Sequence, residues 1–256
     1  DVVEALRTSL KNHDVKINIT CTSKEDHLDD VDELVEELMQ CALYASGDPT
    51  GGDYIRYQYG GYTYTYDNRQ TDGGYDYTIS IVPQYYTDLE EEEEVDAKVK
   101  EILEETDFGF VSSDLQRVQK IYDYIYENVS YDTVRKNHDG YHKKSTAYAA
   151  LVQNTAVCQG YAVAMFRLLE EVGVDCRVVT GIATYEGESE YHAWNIVRID
   201  GQYYNLDVTW DKELGNHDCF LKTDADLSGH ERDEEFSSEE FYGKYPMAEM
   251  SYEYQE

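Results

Sequence analysis

Three side chains in the second half of the chain have the types and the order of a thiol-based acyl-transfer site: Cys158, His192 and Asp207. A cysteine nucleophile needs a base within hydrogen-bond reach, and the base needs a carboxylate that fixes its tautomer. Cys158 opens "CQGYAVAMFRLLEEVG", a run with helical character. The start of a helix favours the ionised form of a thiol, and the cysteine N–H there is a natural oxyanion donor. His192 lies in "EYHAWNIVRID" and Asp207 in "QYYNLDVTW", two strand-like runs joined by the hairpin signal Asp200–Gly201. The two can therefore be cross-strand neighbours. Each residue also has an ordinary structural reading. Cys158, Ala162, Met165 and Leu169 share one helix face, as a plain core cysteine would.

The elements that must position these groups follow from periodicity. A short helix over 145–152 leads to the helix at Cys158, and an antiparallel meander follows: "VDCRVVTGIATY", the His192 strand and the Asp207 strand. Strand parity raises a difficulty. His192 aligns with Trp194 and Ile196, whereas Asp207 aligns with Tyr203 and Asn205 rather than with Leu206, Val208 and Trp210. If both must face the helix, Tyr203 and Asn205 look inward too, or a bulge shifts the register. Asp211 is a competing carboxylate, placed just past Trp210 where a loop is expected.

The first half reads as an α/β region. A short helix over 1–12, a strand over Val15–Cys21 and an amphipathic helix with Leu28, Val31, Leu34, Val35, Leu38 and Leu43 on its face come first. "YIRYQYGGYTYTYDNRQTDGGYDYTISIVPQYY" then alternates Tyr and Thr between glycine turns, the pattern of successive antiparallel strands. Half-buried strand tyrosines are the simpler reading; a binding face for carbohydrate or peptide is the other. The acidic helix over 88–105 links the parts, and Ser112, Ser113 and Asp114 are cap candidates for the next helix. The boundary falls near residue 106: an N-terminal α/β region over 1–106 and a catalytic domain over 107–256.

"AVCQGYAVAMFRLLEEVGVDCRVVTG" followed by "YHAWNIVRIDGQYYNLDVTWD" resembles the bacterial transglutaminase-like domain. That family pairs a Cys-x-Gly-Tyr/Phe-Ala helix start with a His-Ala-Trp-Asn strand, a short Asp-Gly turn and a Leu/Val-Asp-x-Thr-Trp strand. The likeness covers roughly Tyr141 to Asp211. It implies an α+β fold with a papain-like core, a cysteine-bearing helix packed on an antiparallel sheet. By the same resemblance Cys158 is the nucleophile, His192 the base and Asp207 the orienter. Trp194 would wall the thiolate pocket or pack in the core, and Tyr161, a second pocket candidate, would serve tight helix packing together with Gly160. Tyr148 and Gln153 are the candidates for a side-chain oxyanion donor, and no cofactor or metal is called for. The implied activity is acyl transfer or hydrolysis on protein or peptide amides, cell-wall peptide included, with hydrolysis favoured over cross-linking. The alternative is a catalytically silent cell-surface binding module.

Composition limits the partners. With 21 basic and 54 acidic side chains the net charge is −33, which opposes nucleic acid and anionic membrane surfaces. No apolar run is long enough to cross a bilayer, so no membrane insertion is expected. The Tyr-, Asp-, Glu- and Gly-rich composition fits a secreted or cell-surface location. Five cysteines are an odd number, and a Cys21–Cys41 bridge is conceivable in an oxidising compartment. A Cys158–Cys176 disulfide would remove the enzyme reading. His217, Asp218, Cys219 and His230 match no common metal-site spacing.

Overall fold

The structure is a computed structural model that describes residues 2–25, 30–106, 108 and 113–255. Two of the residues named above, Leu28 and Ser112, lie outside the described residues. The chain forms two compact units, Asp1–Leu89 and Glu90–Glu256.

In the first unit, helix α1 (Val2–Lys11), strand β1 (Ile17–Ser23), helix α2 (Val31–Ala42) and the short helix α3 (Asp53–Arg56) precede a long hairpin of β2 (Tyr59–Thr71) and β3 (Gly74–Tyr85). The sheet order is β1-β3-β2, antiparallel throughout, with Ile17 opposite Ile81 and Ile19 opposite Ile79. Those isoleucines share a core with Leu6, Leu10, Val35 and Met39, and Tyr59, Tyr62 and Tyr64 pack half-buried against it. Alternation explains this: one pleat face carries the apolar side chains while the other stays wet.

The second unit begins with α4 (Leu89–Glu105), whose Val95, Val99 and Ile102 are buried, and α5 (Asp114–Asn128), capped by the Ser113 side chain. The sequence reading sets its boundary near 106; the compact units divide at 89/90, which places α4 with the second unit. Its Asp96 pairs with Arg167 of the second unit. Strand β4 (Ser130–Tyr131) pairs in parallel with β5 (Thr155–Ala156). The stretch expected as one short helix is a 3-10 turn at His142–Ser145 and a π-helical turn at Tyr148–Val152.

Helix α6 (Cys158–Glu171) is buried along nearly its whole length and packs on a four-stranded antiparallel sheet. Its strands are β6 (Cys176–Tyr185), β7 (Glu188–Ile199), β8 (Gln202–Leu206) and β9 (His230–Arg232), in the order β8-β7-β6-β9. Asp200 and Gly201 both take positive φ in the β7–β8 turn, as the hairpin signal predicts. After β8 the chain enters α7 (Val208–Leu214) and later α8 (Glu239–Lys244). None of the described helices is long and apolar enough to cross a membrane.

Candidate active site

Cys158 is the first residue of α6, after the extended Val157. The approach to it is pinned on both sides. Asn154 takes a left-handed φ of 56°, Ser130 N–H donates to its carbonyl, Asp132 N–H donates to Ala156 O, and Val157 N–H donates to Lys144 O. Gly160 sits where a Cβ would lie 2.7 Å from the Ala156 Cβ and 3.0 Å from Lys144 O. The small residue lets the helix tip nest against this loop, which is the packing role expected of it. Cys158 itself is half-buried.

His192 lies on β7 and is 2% exposed. Its Nε2 is 2.7 Å from Asp207 Oδ2, and the Cys158 thiol lies close enough to the ring to raise its proton affinity. With Nε2 held by the carboxylate, Nδ1 is the ring nitrogen left to serve the thiol. Asn195, of opposite strand parity, turns to the side of α6, where its amide donates to Ala162 O at 2.9 Å. The imidazole is therefore met by the tip of α6, not by its flank.

Asp207 is not on a strand. The run Leu206–Trp210 was expected to continue as strand, but β8 ends at Leu206 and Asp207 is the N-cap of α7. Its Oδ1 accepts the N–H groups of Thr209 (3.0 Å) and Trp210 (3.1 Å). Its Oδ2 accepts from His192 and, at 2.9 Å, from His230 Nε2. The cap aims one oxygen into the helix and leaves the other for the histidines. The parity difficulty also resolves. The β7–β8 register pairs Asn195 with Leu206 and Ile196 with Asn205, so Asn205 and Asp207 lie on the face of His192 and Trp194 without a bulge. Asn205 looks inward, accepting from Trp194 Nε1 at 3.1 Å. Tyr203 is buried because β8 is not an edge: Tyr203 N–H donates to Pro246 O and Asn205 N–H to Lys222 O.

Charge follows geometry. Burial by itself favours neutral His192, but the Asp207 carboxylate and then the Cys158 thiol outweigh it and raise the imidazole well above its ordinary pKa. Burial likewise opposes ionisation of Asp207, yet His192 and His230 hold its carboxyl well below the usual carboxylate range. Asp211 is not a partner of His192. It lies buried on α7, accepts from Tyr122 Oη (2.7 Å) and Cys219 N–H (2.8 Å), and burial pushes its pKa up to about 7.

The remaining expected residues fall as follows. Trp194 is buried, its ring roughly parallel to His192 with centroids 6.1 Å apart. Tyr161 is buried, and its hydroxyl donates to Val129 O at 2.8 Å, tying α6 to the end of α5. Tyr148 directs its hydroxyl to Glu94, and Gln153 is exposed at the end of the π-helical turn. None of the five cysteines is in a disulfide, so neither the Cys21–Cys41 nor the Cys158–Cys176 bridge is present. His217 stacks on Tyr254 with centroids 3.7 Å apart and meets Tyr122 Oη through Nδ1. His230 lies instead on Asp207.

His230 and Trp210 join the site in roles the sequence reading does not give them: it groups His230 with His217, Asp218 and Cys219, and reads Trp210 only as part of a strand motif. Trp210 approaches His230 (4.3 Å) and His192 (5.8 Å), and it lines a cavity of about 490 Å³ with Tyr185, Glu190 and Glu213. Tyr131 is a further neighbour: burial first, then the charges of Cys158, Glu213 and Glu190, push its phenol up. Among the described residues, His192, Asp207 and His230 bring ligand atoms within 4.8 Å of one another, a spacing that would suit a metal ion. Both Nε2 atoms already meet the carboxylate, so the array is satisfied by hydrogen bonds alone.

Comparison with known proteins places this geometry. Residues 104–208 match the transglutaminase-like superfamily. The kyphoscoliosis peptidase of Homo sapiens is 28% identical over 129 residues, 47% of this chain and 18% of its own. The mouse protein of the same name is 30% identical over 111 residues, 40% of this chain and 16% of its own. The chain thus spans less than a fifth of the length of these relatives. A solved TGase structure is 20% identical, with a TM-score of 0.41 over 56% of this chain and 43% of its own. The match over residues 104–208 marks a transglutaminase-like domain in that part of the chain.

Proposed function

We propose that Cys158, His192 and Asp207 act together as a thiol-dependent hydrolase of protein or peptide amides. The observation that carries this reading is the buried imidazole of His192, held at 2.7 Å by the Asp207 carboxylate and influenced by the nearby Cys158 thiol at the tip of α6. A silent binding module has no need of a buried carboxylate–imidazole pair set against a half-exposed thiol. The name of the curated relatives, a peptidase, points the same way.

In this reading the Cys158 sulfur attacks the amide carbon as its proton passes to His192. The N–H of Cys158, which has no intrahelical acceptor, faces the developing oxyanion; since Tyr148 gives its hydroxyl to Glu94, Gln153 is the side-chain candidate for a second donor. His192 then gives its proton to the departing amine as the C–N bond breaks, leaving an acyl thioester. Water attacks the thioester, His192 takes its proton, and the thiol is restored as the acid leaves. An amine in place of water would give cross-linking; the half-exposure of Cys158 favours water.

The test is alkylation by iodoacetamide at pH 6 with the adduct mapped. Cys158 should react well ahead of Cys176 and Cys219, whose thiols are buried. Equal labelling of the three would remove the proposal.

A further inference from the structure

His230 contributes a contact that a three-residue site does not require. It stands on β9, where it pairs with Ala183 while Arg232 pairs with Gly181. Two glycines admit this strand: a Cβ on Gly181 would collide with the Glu231 carbonyl, and Gly229, at φ +82°, leaves no room for a side chain beside the Thr184 carbonyl. The imidazole is clamped between Trp194 (centroids 5.0 Å) and Trp210 (4.3 Å), and its side chain is 1% exposed. An ionised carboxylate only accepts, so the Nε2 of His192 and the Nε2 of His230 both carry hydrogen where they meet Oδ2, at 2.7 and 2.9 Å.

One oxygen serving two donors divides its charge between them. We propose that His230 is a positioning residue: it holds Asp207 Oδ2 in place and draws off part of its charge, so that His192 releases its proton at a lower pH than it would against Asp207 alone. This rests on the reading of His192 as the base. A base works best when its proton affinity lies near the operating pH, and a buried carboxylate directed at one imidazole overshoots. The other groups facing His192 are Cys158 from α6, Glu213 from α7, and the uncharged Trp194 and Trp210. The β6 residue opposite it is Gly181, which offers no side chain. Arg232, on the strand of His230, is engaged by Asp224 and Asn205.

The experiment is a pH titration of the His192 ring, read by its imidazole 15N shifts in the full chain, for the unmodified protein, His230→Phe and His230→Gln. Phe keeps the aromatic packing and removes the donor; Gln restores an N–H near the Nε2 position. The midpoint of His192 should rise by about one pH unit in His230→Phe, the scale of losing one hydrogen bond to a charged group. It should return close to that of the unmodified protein in His230→Gln. A midpoint that stays put in both variants overturns the proposal. So does a spectrum of the unmodified protein in which His230 lacks hydrogen on Nε2, a measurement that needs no variant to fold. Alkylation mapping separates the two readings. If Cys158 is not the preferred thiol, the base reading and this proposal fall together; if it is and His192 does not shift, only the role of His230 falls.

Discussion

Asp211 offers a quantitative check on the electrostatics around the site. It lies one helical turn after Asp207, its N–H donating to Asp207 O at 3.3 Å, and it is fully buried. Burial raises its pKa from 3.8 to about 7, against the lowering effect of Tyr122 and Cys219. A raised acid holds its proton in the folded state where the unfolded chain has already released it. Stability therefore falls as pH rises from about 4 to about 7, and the loss is complete above that. Three pKa units correspond to roughly 4 kcal/mol. Asp211→Asn removes the titration while keeping the contacts: the amide oxygen accepts from Cys219 N–H, and the amide N–H donates to Tyr122, whose hydroxyl turns to His217 Nδ1. The variant should match the parent near pH 4 and exceed it by several kcal/mol at pH 8. Urea unfolding at both pH values, followed by tryptophan fluorescence, makes the measurement, because Trp194 and Trp210 both belong to the second unit. His192 titrates in both proteins, so its effect cancels in the difference. A constant offset between parent and variant across this range would refute the buried, proton-holding Asp211.

Two further outcomes are expected. Asp207→Asn turns an amide N–H₂ toward two imidazole N–H groups; alkylation of Cys158 at pH 6 should slow on the order of tenfold or more, and urea unfolding should show a loss of about 3–5 kcal/mol. Gly160→Ala drives a methyl into Ala156 and the Lys144 and Thr146 carbonyls. Overpacking of about 1–3 kcal/mol outweighs the helix propensity gained, and the urea midpoint should fall.

The helix at Cys158, the His192 strand and the Asp200–Gly201 turn are legible because each is encoded within a dozen neighbouring residues. Asp207 is legible in identity but not in conformation. Val208, Thr209 and Trp210 have side chains that suit a strand, and a single capping carboxylate outweighs them. The inward turn of Asn205 depends on Lys222, and the burial of Tyr203 on Pro246 and Met247; no periodicity within β8 reports partners so distant. His230 is hidden for the same reason. Its strand is three residues long, too short for any alternation to register, and its partner lies 23 positions earlier in the chain.

The segment after Pro246 has a consequence for the company the molecule keeps. By bonding to both backbone groups of Tyr203 from Pro246 and Ala248, and packing Tyr252 on Tyr204, it completes the cover of a sheet margin whose Asn205 is already paired with Lys222. Backbone groups left open at a sheet margin are a template for a second chain. The strand that delivers Asp207 is thus shielded from intermolecular pairing by two separate segments, and a chain cleaved ahead of Pro246 would open it at Tyr203 alone.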